Sequence, residues 1–466
     1  MSEPTEQPSA HRAAESASAV ASADRADLRR LLSGSWPLVL INLAVTGMQF
    51  ADSLMVAPLG EAALAAVFPA FMVYLIPVVF GHGMLGLVNT LTAQALGAGE
   101  RSRCGRVAVQ GLWLALGWGL LMLPLWFAAP LVFGWMGHAP EVQRLEIEYF
   151  RVLMFGAVPA LMVAALSSFF TGLLRPAVLV FAAVAATGLN ILFNWIFIYG
   201  NWGAPALGVA GAALGSVLAT AVQALCLLAI FWVRPLREEF GTGAWKPDPV
   251  IFKQLVRTGA PAGLMPVFDL FTWGVVLVWM IGLFGTAHLA ANTIVIRYLH
   301  LAFMPTFAFG ATLTAMVGHS LGAGDPARAQ RRAHVAFRVI AGYMGSVGLL
   351  FLLAREPLMR LFSSDPELIA AGAGFFVCAA IYQVFDAMYL TYSHALRGAG
   401  ETVWPAAALL VLSCTVLVGG SWCLITFAPA LQSLGPWIAT TVYAACLGVA
   451  MAWRWRLGRW KQIRLT

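Results

Sequence analysis

Charge is what this sequence lacks most. Asp, Glu, Lys and Arg make up 11% of its 466 residues, where a soluble globular protein carries about 25%. That shortage excludes an ordinary water-facing surface. Six cysteines occur, Cys104, Cys226, Cys378, Cys414, Cys423 and Cys446, with no CxxC and no Cys/His spacing, which argues against a zinc or dithiol site and predicts buried apolar spacers. The glycine-rich LGAG stretches at 96–99 and 321–324 have no P-loop lysine after them. They read as tight turns in which glycine supplies positive φ, not as phosphate cradles. No Ser/His or His/Asp constellation has a spacing useful for catalysis, so the chain is not expected to be an enzyme and needs no cofactor. The first thirty residues, MSEPTEQPSAHRAAESASAVASADRADLRR, lack the apolar run of a cleavable signal. They are polar and Ala/Ser-rich, and are expected to be a disordered tail.

What the chain has instead is apolar length. Hydrophobic residues make up 60% of it. Segments of about 20 residues, enough to cross a bilayer, fall near 35–57, 64–90, 107–131, 149–172, 178–199, 209–233, 258–283, 288–318, 333–354, 370–396, 403–427 and 434–456. The expected fold is all-α, with twelve transmembrane helices. The formal charge of +7 fits basic cytoplasmic loops and does not call for nucleic acid. With the N-terminus inside, the inner segments carry Arg101, Arg103, Arg106, Arg175, Arg234, Arg237, Lys246, Lys253, Arg257, Arg328, Arg331, Arg332, Arg338, Arg397, Arg454, Arg456, Arg459, Lys461 and Arg464. The outer ones keep only Arg144, Arg151, Arg355 and Arg360. The positive-inside rule then puts both termini in the cytoplasm of a multi-pass inner-membrane protein.

The chain is duplicated. LGEAALAA (59–66) matches FGTAHLAA (284–291), and ALGAGERSRCGR (95–106) matches SLGAGDPARAQR (320–331), both at an offset of 225. Two pseudo-symmetric six-helix lobes follow. Because each half has an even number of spans, the repeats run parallel about an axis along the membrane normal. The expected organisation is a tail at 1–30, an N-lobe at 31–233, a cytoplasmic linker at 234–257, a C-lobe at 258–456 and a basic cytoplasmic tail at 457–466.

Departures from the repeat carry the functional information. Asp52, Asp269 and Asp386 are the acids clearly away from span ends. At the same offset Asp52 faces Leu277 and Asp269 faces Ala44, while at an offset between 222 and 226 the extremes put Ala164 or Ala160 opposite Asp386. A charge at mid-bilayer costs several kcal/mol and marks an ion or substrate path, or else serves as interhelical glue. Burial, or a second carboxylate nearby, favours proton carriage. The same oxygens also suit Na⁺. Asp52 lies about 9 Å below the outer end of its span. Asn190 and Asn194 are i and i+4 on one helical face, able to complete a polar pocket with Asp52 or to bond a neighbouring helix. Arg297 is an intramembrane cation, expected to face the interior and pair with an acid or water. His300 and His394 are possible proton relays, more readily read as packing. Phe268, Tyr382 and Gln383, beside the acids, join Arg297 as candidate cavity lining. Pro77, Pro159, Pro266 and Pro305 can kink spans beside a cavity.

The stretches MQFADSLMVAPLG, LNILFNWIFIYGNWGAPALGVAGAALGSVLAT, GAPAGLMPVFDLFTW and YQVFDAMYLTYSHALRGAGET, with the paired LGAG turns, resemble the multidrug and toxic compound extrusion (MATE) transporters, NorM-type branch, over residues 30–456. The last stretch is the most specific. The resemblance implies a V of two six-helix lobes and a monomeric antiporter that exports organic, often cationic, small molecules against Na⁺ or H⁺. It implies a first-lobe cation site at Asp52, Asn190 and Asn194, and a second at Asp269 and Asp386. Where this branch commonly has Glu on helix 7, this chain has Asp269, one methylene shorter. A lipid or lipid-linked oligosaccharide flippase of the same superfamily would share the scaffold but line its cavity with more basic residues. Arg297 keeps that alternative open.

Overall fold

A computed structural model of the chain describes residues 8–463, with side chains from Ser22 onward. In a bilayer every backbone polar group must be satisfied within the protein, which leaves apolar spans the helix. The N-lobe contains α1 (Pro8–Val56), α2 (Glu61–Gly97), α3 (Arg101–Met122), α4 (Pro140–Met154 and Ala157–Gly172, bent by 48°), α5 (Ala177–Tyr199) and α6 (Val209–Phe231). The C-lobe contains α7 (Pro249–Gly282), α8 (Thr286–Gly322), α9 (Pro326–Leu353), α10 (Pro366–Ala399), α11 (Val403–Phe427) and α12 (Leu434–Arg456). Counting the bent pair as one span gives twelve among the described residues. The expected span at 107–131 stops at Met122, and a separate helix, Leu125–Met136, follows Pro124.

The duplication is visible in the backbone. Gly60 and Gly285, which open α2 and α8, have φ of 108° and 104°. Gly99 and Gly324, in the two LGAG turns, have φ of 79° and 72°. Only glycine holds such values without strain. The lobes meet across the same symmetry. Gly97 of α2 lies on the carbonyl of His319 in α8, and Gly322 of α8 lies on the carbonyl of Gln94 in α2. Lobe-to-lobe hydrogen bonds cluster at this turn end: Asn89 Nδ2 donates to Ala311 O (3.1 Å), Thr90 Oγ1 to Arg397 O (3.0 Å) and Gln94 Nε2 to Gly398 O (3.0 Å). Gly83 and Gly263 let α2 and α7 approach backbone to backbone. Farther out, Asn42 Nδ2 of α1 donates to Met304 O of α8 (3.3 Å). Among the described residues no side-chain hydrogen bond joins the lobes beyond Thr46 and Met304 toward Gly60 and Gly285. The lobes are therefore held together, and the V closed, at the turn end.

These contacts predict that Gly97→Val will hold the turn ends apart. Any β-carbon there overlaps the His319 carbonyl, and overpacking costs about 1–3 kcal/mol. A cysteine pair placed across the turn ends should cross-link about tenfold less in the variant. An unchanged yield would contradict the contact.

Several expectations are corrected. Residues 22–30, expected to be disordered, continue α1, and Asp27 is buried against Arg332. An Ala-rich polar segment has high helix propensity, and here a second lobe is present to receive it. Residues 1–7 of that tail, and 464–466 at the other end, lie outside the described residues. The expected linker holds a helix, Arg234–Phe240, and its residues 249–257 are the first turns of α7. In the C-terminal segment Trp460 is buried and stacked on Trp455, ring centres 4.0 Å apart. Only Cys104 and Cys378 are buried. Cys414, Cys423 and Cys446 are exposed on their spans, where lipid rather than protein covers apolar groups.

Candidate functional site: two carboxylate clusters

The first cluster forms where α1 crosses α5 and α6. Asn194 Nδ2 donates to Asp52 Oδ1 (2.5 Å), and Ser216 Oγ donates to Asp52 Oδ2 (3.3 Å). Asn190 Nδ2 donates to the Ser216 hydroxyl (3.1 Å), and Asn190 Oδ1 accepts from Asn194 (3.4 Å). Gly215 leaves the space that the Asn194 side chain occupies. Tyr199 Oη, donating to Met55 O at 2.7 Å, pins the end of α1 to α5 one turn away. Both asparagines are fully buried, and Asn194 Oδ1 has no partner. The Asp52 carboxylate and the Ser216 hydroxyl thus meet beside the two asparagine amides, and Asn194 Oδ1, against Gly215, is buried without a partner. This hard-oxygen donor set with a single negative charge fits a monovalent cation or a proton. Ser216 was not singled out from the sequence. Its only signal is its place in GSVLAT on the next span.

The second cluster lies in the C-lobe, where α10 packs against α8, α9 and α12. Asp386 is buried at 4% exposure, and Tyr382, one turn before it, donates its hydroxyl to Oδ1 at 3.0 Å. Asp269 on α7 is half-buried and makes no side-chain hydrogen bond or ion pair. It interacts electrostatically with Asp386, Tyr389, Tyr443 and Arg397. Tyr443 of α12 accepts from Ser413 Oγ of α11 (3.2 Å). Trp273 of α7 meets Tyr382 edge-on at 5.5 Å. Directly after Asp269, α7 widens into a π-helical stretch, Thr272–Val276, and α11 does the same over Ser413–Gly419. The two stretches touch. Such π turns rotate the following residues and recur at functional sites. Tyr389, Tyr443, Ser413, Trp273 and both π turns escaped sequence reasoning, since aromatic and hydroxyl residues are common in spans.

Of the candidate lining residues, Arg297 alone is exposed. It shares a stripe of α8 with Thr293, His300, Met304 and Phe307, and Met304 touches Asn42 of α1. The stripe therefore faces the cleft between α1 and α8. Arg297 makes no ion pair among the described residues, which leaves water, of the two partners expected for it. Phe268 is half-buried, packed against the C-lobe core. Tyr382 and Gln383 are buried at 5% and 0%. Gln383 faces Gly348 of α9, and neither end of its amide has a partner. Fully buried itself, it does not line an open cavity. His394 lies against Gly310 and Thr314 of α8 and is a packed residue. No group of three or more His, Cys, Asp or Glu side chains able to hold a metal occurs among the described residues.

Comparison with known proteins adds independent findings. A family model described as MatE matches residues 37–196 and 265–420. The chain is 29% identical over 448 residues to a probable multidrug resistance protein NorM of Mesorhizobium japonicum, covering 92% of this chain and 94% of that protein. It is 31% identical over 427 residues to a probable multidrug resistance protein NorM of Bradyrhizobium diazoefficiens, covering 88% and 90%. Among solved structures, a MATE protein in the bent conformation superposes with a TM-score of 0.85 at 22% identity, covering 95% of this chain and 98% of that one. A MATE family transporter of the MOP superfamily in an outward-facing conformation gives 0.82 at 23% identity, covering 94% and 97%.

Proposed function

Since the chain belongs to the MatE family, and is thus a multi-pass membrane transporter rather than an enzyme, we propose that it is an antiporter exporting small organic compounds, chiefly cations, in exchange for Na⁺ or H⁺. The NorM names of its relatives support multidrug efflux as its task. One observation carries the proposal. Three carboxylates sit within the spans, and none has a basic side chain at ion-pair distance among the described residues. Asp52 is held by amide and hydroxyl donors and Asp386 by a phenol, while Asp269 has no hydrogen-bond donor. Charges left without a fixed counter-ion in a low-dielectric interior call for a mobile one.

Exchange follows from competition. A coupling cation at Asp52, Asn190, Asn194 and Ser216, or at Asp269 and Asp386, removes the negative charge that a cationic compound needs, and the compound leaves. Each ligand shifts the equilibrium between the two V shapes only by its difference in affinity for them. The basic residues at the turn end support a cytoplasmic location for that end, so the described V is closed toward the cytoplasm. In this reading export occurs from the inner membrane of a bacterium.

Proteoliposomes loaded with ethidium test the reading. Efflux is expected under an inward Na⁺ gradient or an inward pH gradient, and the one that works identifies the ion. The unpaired Arg297 on the cleft-facing stripe is the one feature favouring a lipid flippase. No movement of any organic cation under either gradient, with movement of a fluorescent phospholipid, would favour that reading instead.

A further inference from the structure

Away from both carboxylate clusters, a groove of about 750 Å³ runs between the first turns of α7, the α10–α11 turn and the end of α12. Its walls carry three basic side chains, Lys253, Arg257 and Arg454, together with Glu401 and Trp404. The three are not equivalent. Arg454 is an ion-pair partner of the buried Glu401, and its guanidinium lies 5.3 Å from the centre of the Trp404 ring. The other Glu401 carboxylate oxygen is buried without a donor. Lys253 and Arg257, i and i+4 on one face of α7, are exposed and have no acidic partner among the described residues. The groove therefore has a neutralised floor and one wall with two free positive charges. Its lips are apolar: Val250 is 75% exposed and Val403 63% exposed.

The groove lies at the same end of the molecule as the LGAG turns. With that end in the cytoplasm, it sits at the inner boundary of the bilayer, where Trp side chains favour the headgroup level and basic pockets between helices hold anionic headgroups. We propose that this groove is a binding site for an anionic phospholipid of the inner leaflet. The phosphate lies between Lys253 and Arg257, and the acyl chains run over Val250 and Val403. Two unpaired cations and no unpaired anion favour a phosphatidylglycerol-like lipid over a zwitterionic one. The floor of the groove is already tied together, since Thr402 Oγ1 donates to Thr258 O at 2.6 Å. A lipid seated there would brace α7, which carries Asp269, against α11 and α12.

The proposal rests on the orientation argued above but not on the transported compound, and its test needs no transport. Full-length protein in detergent is titrated with dioleoyl phosphatidylglycerol, dioleoyl phosphatidylcholine or glycerol 3-phosphate, and retained lipid is read by native mass spectrometry beside thermal stability. Wild type is expected to prefer phosphatidylglycerol over phosphatidylcholine by roughly thirtyfold. The double variant Lys253→Gln/Arg257→Gln should lose that preference and keep its stability in phosphatidylcholine, since both residues are exposed. Equal binding of the two lipids by wild type, or an undiminished preference in the double variant, would overturn the proposal. So would equal stabilisation by glycerol 3-phosphate, which would make this a soluble-anion site.

Discussion

Asp386→Asn is expected to reduce gradient-driven efflux to the leak of empty liposomes. The substitution isolates charge from shape. Asn keeps an oxygen where Asp386 Oδ1 accepts from Tyr382 at 3.0 Å, so the α10 turn retains its hydrogen bond and the lobe its packing. What disappears is the negative charge for which, in the proposed cycle, ion and compound compete. Losing one partner of a desolvated charge pair costs about 2–5 kcal/mol, or roughly thirty- to several-thousandfold, enough to hide efflux under the leak. Asp52→Asn should fall as far if the first cluster couples transport, because Asn194 and Ser216 would still find an oxygen there. Tyr382→Phe removes only a donor to Asp386, and a deficit of about tenfold, near 1.5 kcal/mol, is expected. The check is ethidium efflux under the gradient that drives wild type, with the thermal stability of the same samples in detergent as a measure of folding. Undiminished, still gradient-dependent efflux by Asp386→Asn would remove that residue from the coupling step.

Much of this architecture is legible in the sequence because two signals are strong there. Apolar runs of spanning length admit only helices, and the LGAG pair with Gly60 and Gly285 repeats at a constant offset. Asp52, Asn190 and Asn194 could be grouped because i, i+4 spacing on one helix and a rare intramembrane acid are both local features. Directions on α10 were not legible. A helix that is apolar on every face has no moment to show which side meets a cavity, so Gln383 was read as lining when it is buried against Gly348. The groups around Asp269 on α10 and α12 were hidden for another reason. They come from spans far apart in the chain, and a tyrosine or serine in a span signals nothing alone. The helical start of α1 was missed because polar, Ala-rich sequence reads as disorder until a partner surface is known. That surface belongs to the other lobe.

The contact made by that helical start carries the second large effect. Asp27 and Arg332 are buried at 2% and 1% exposure. Arg332 Nε donates to Asp27 Oδ1 at 3.1 Å, and its Nη1 donates to Met316 O at 2.6 Å and Ser320 Oγ at 2.8 Å. Arg331 and Arg338 add weaker pairs to Asp27 and Asp24, at 3.6 and 3.3 Å. The first helix of the N-lobe is thus fastened to α8 and α9 of the C-lobe at the closed end of the V. On the other side of the V the corresponding helices, α3 and the start of α7, hold an ion pair of their own between Arg106 and Asp248, although at the 225 offset Arg106 matches Arg331 and Asp248 matches Ala23. That pair is 3.8 Å apart, with side chains 50% and 26% exposed. The repeat brings corresponding helices together on the two sides, but burial makes their ion pairs unequal in energy. Removing one partner of a buried ion pair costs about 3–5 kcal/mol, whereas an exposed pair is worth about 0–1 kcal/mol. Asp27→Ala strands Arg332 only while the turn ends are together. When they part, Arg332 reaches water and the penalty disappears. The variant is therefore expected to favour the form open at the turn end by more than a hundredfold, and Asp248→Ala by fivefold or less. Spin labels on α1 and α9 near that end would report the distance distribution. The exchanged pair Asp27→Arg with Arg332→Asp should restore part of the closed population, which a simple folding defect would not allow. Equal shifts from Asp27→Ala and Asp248→Ala would mean that burial of the first pair contributes nothing to closure.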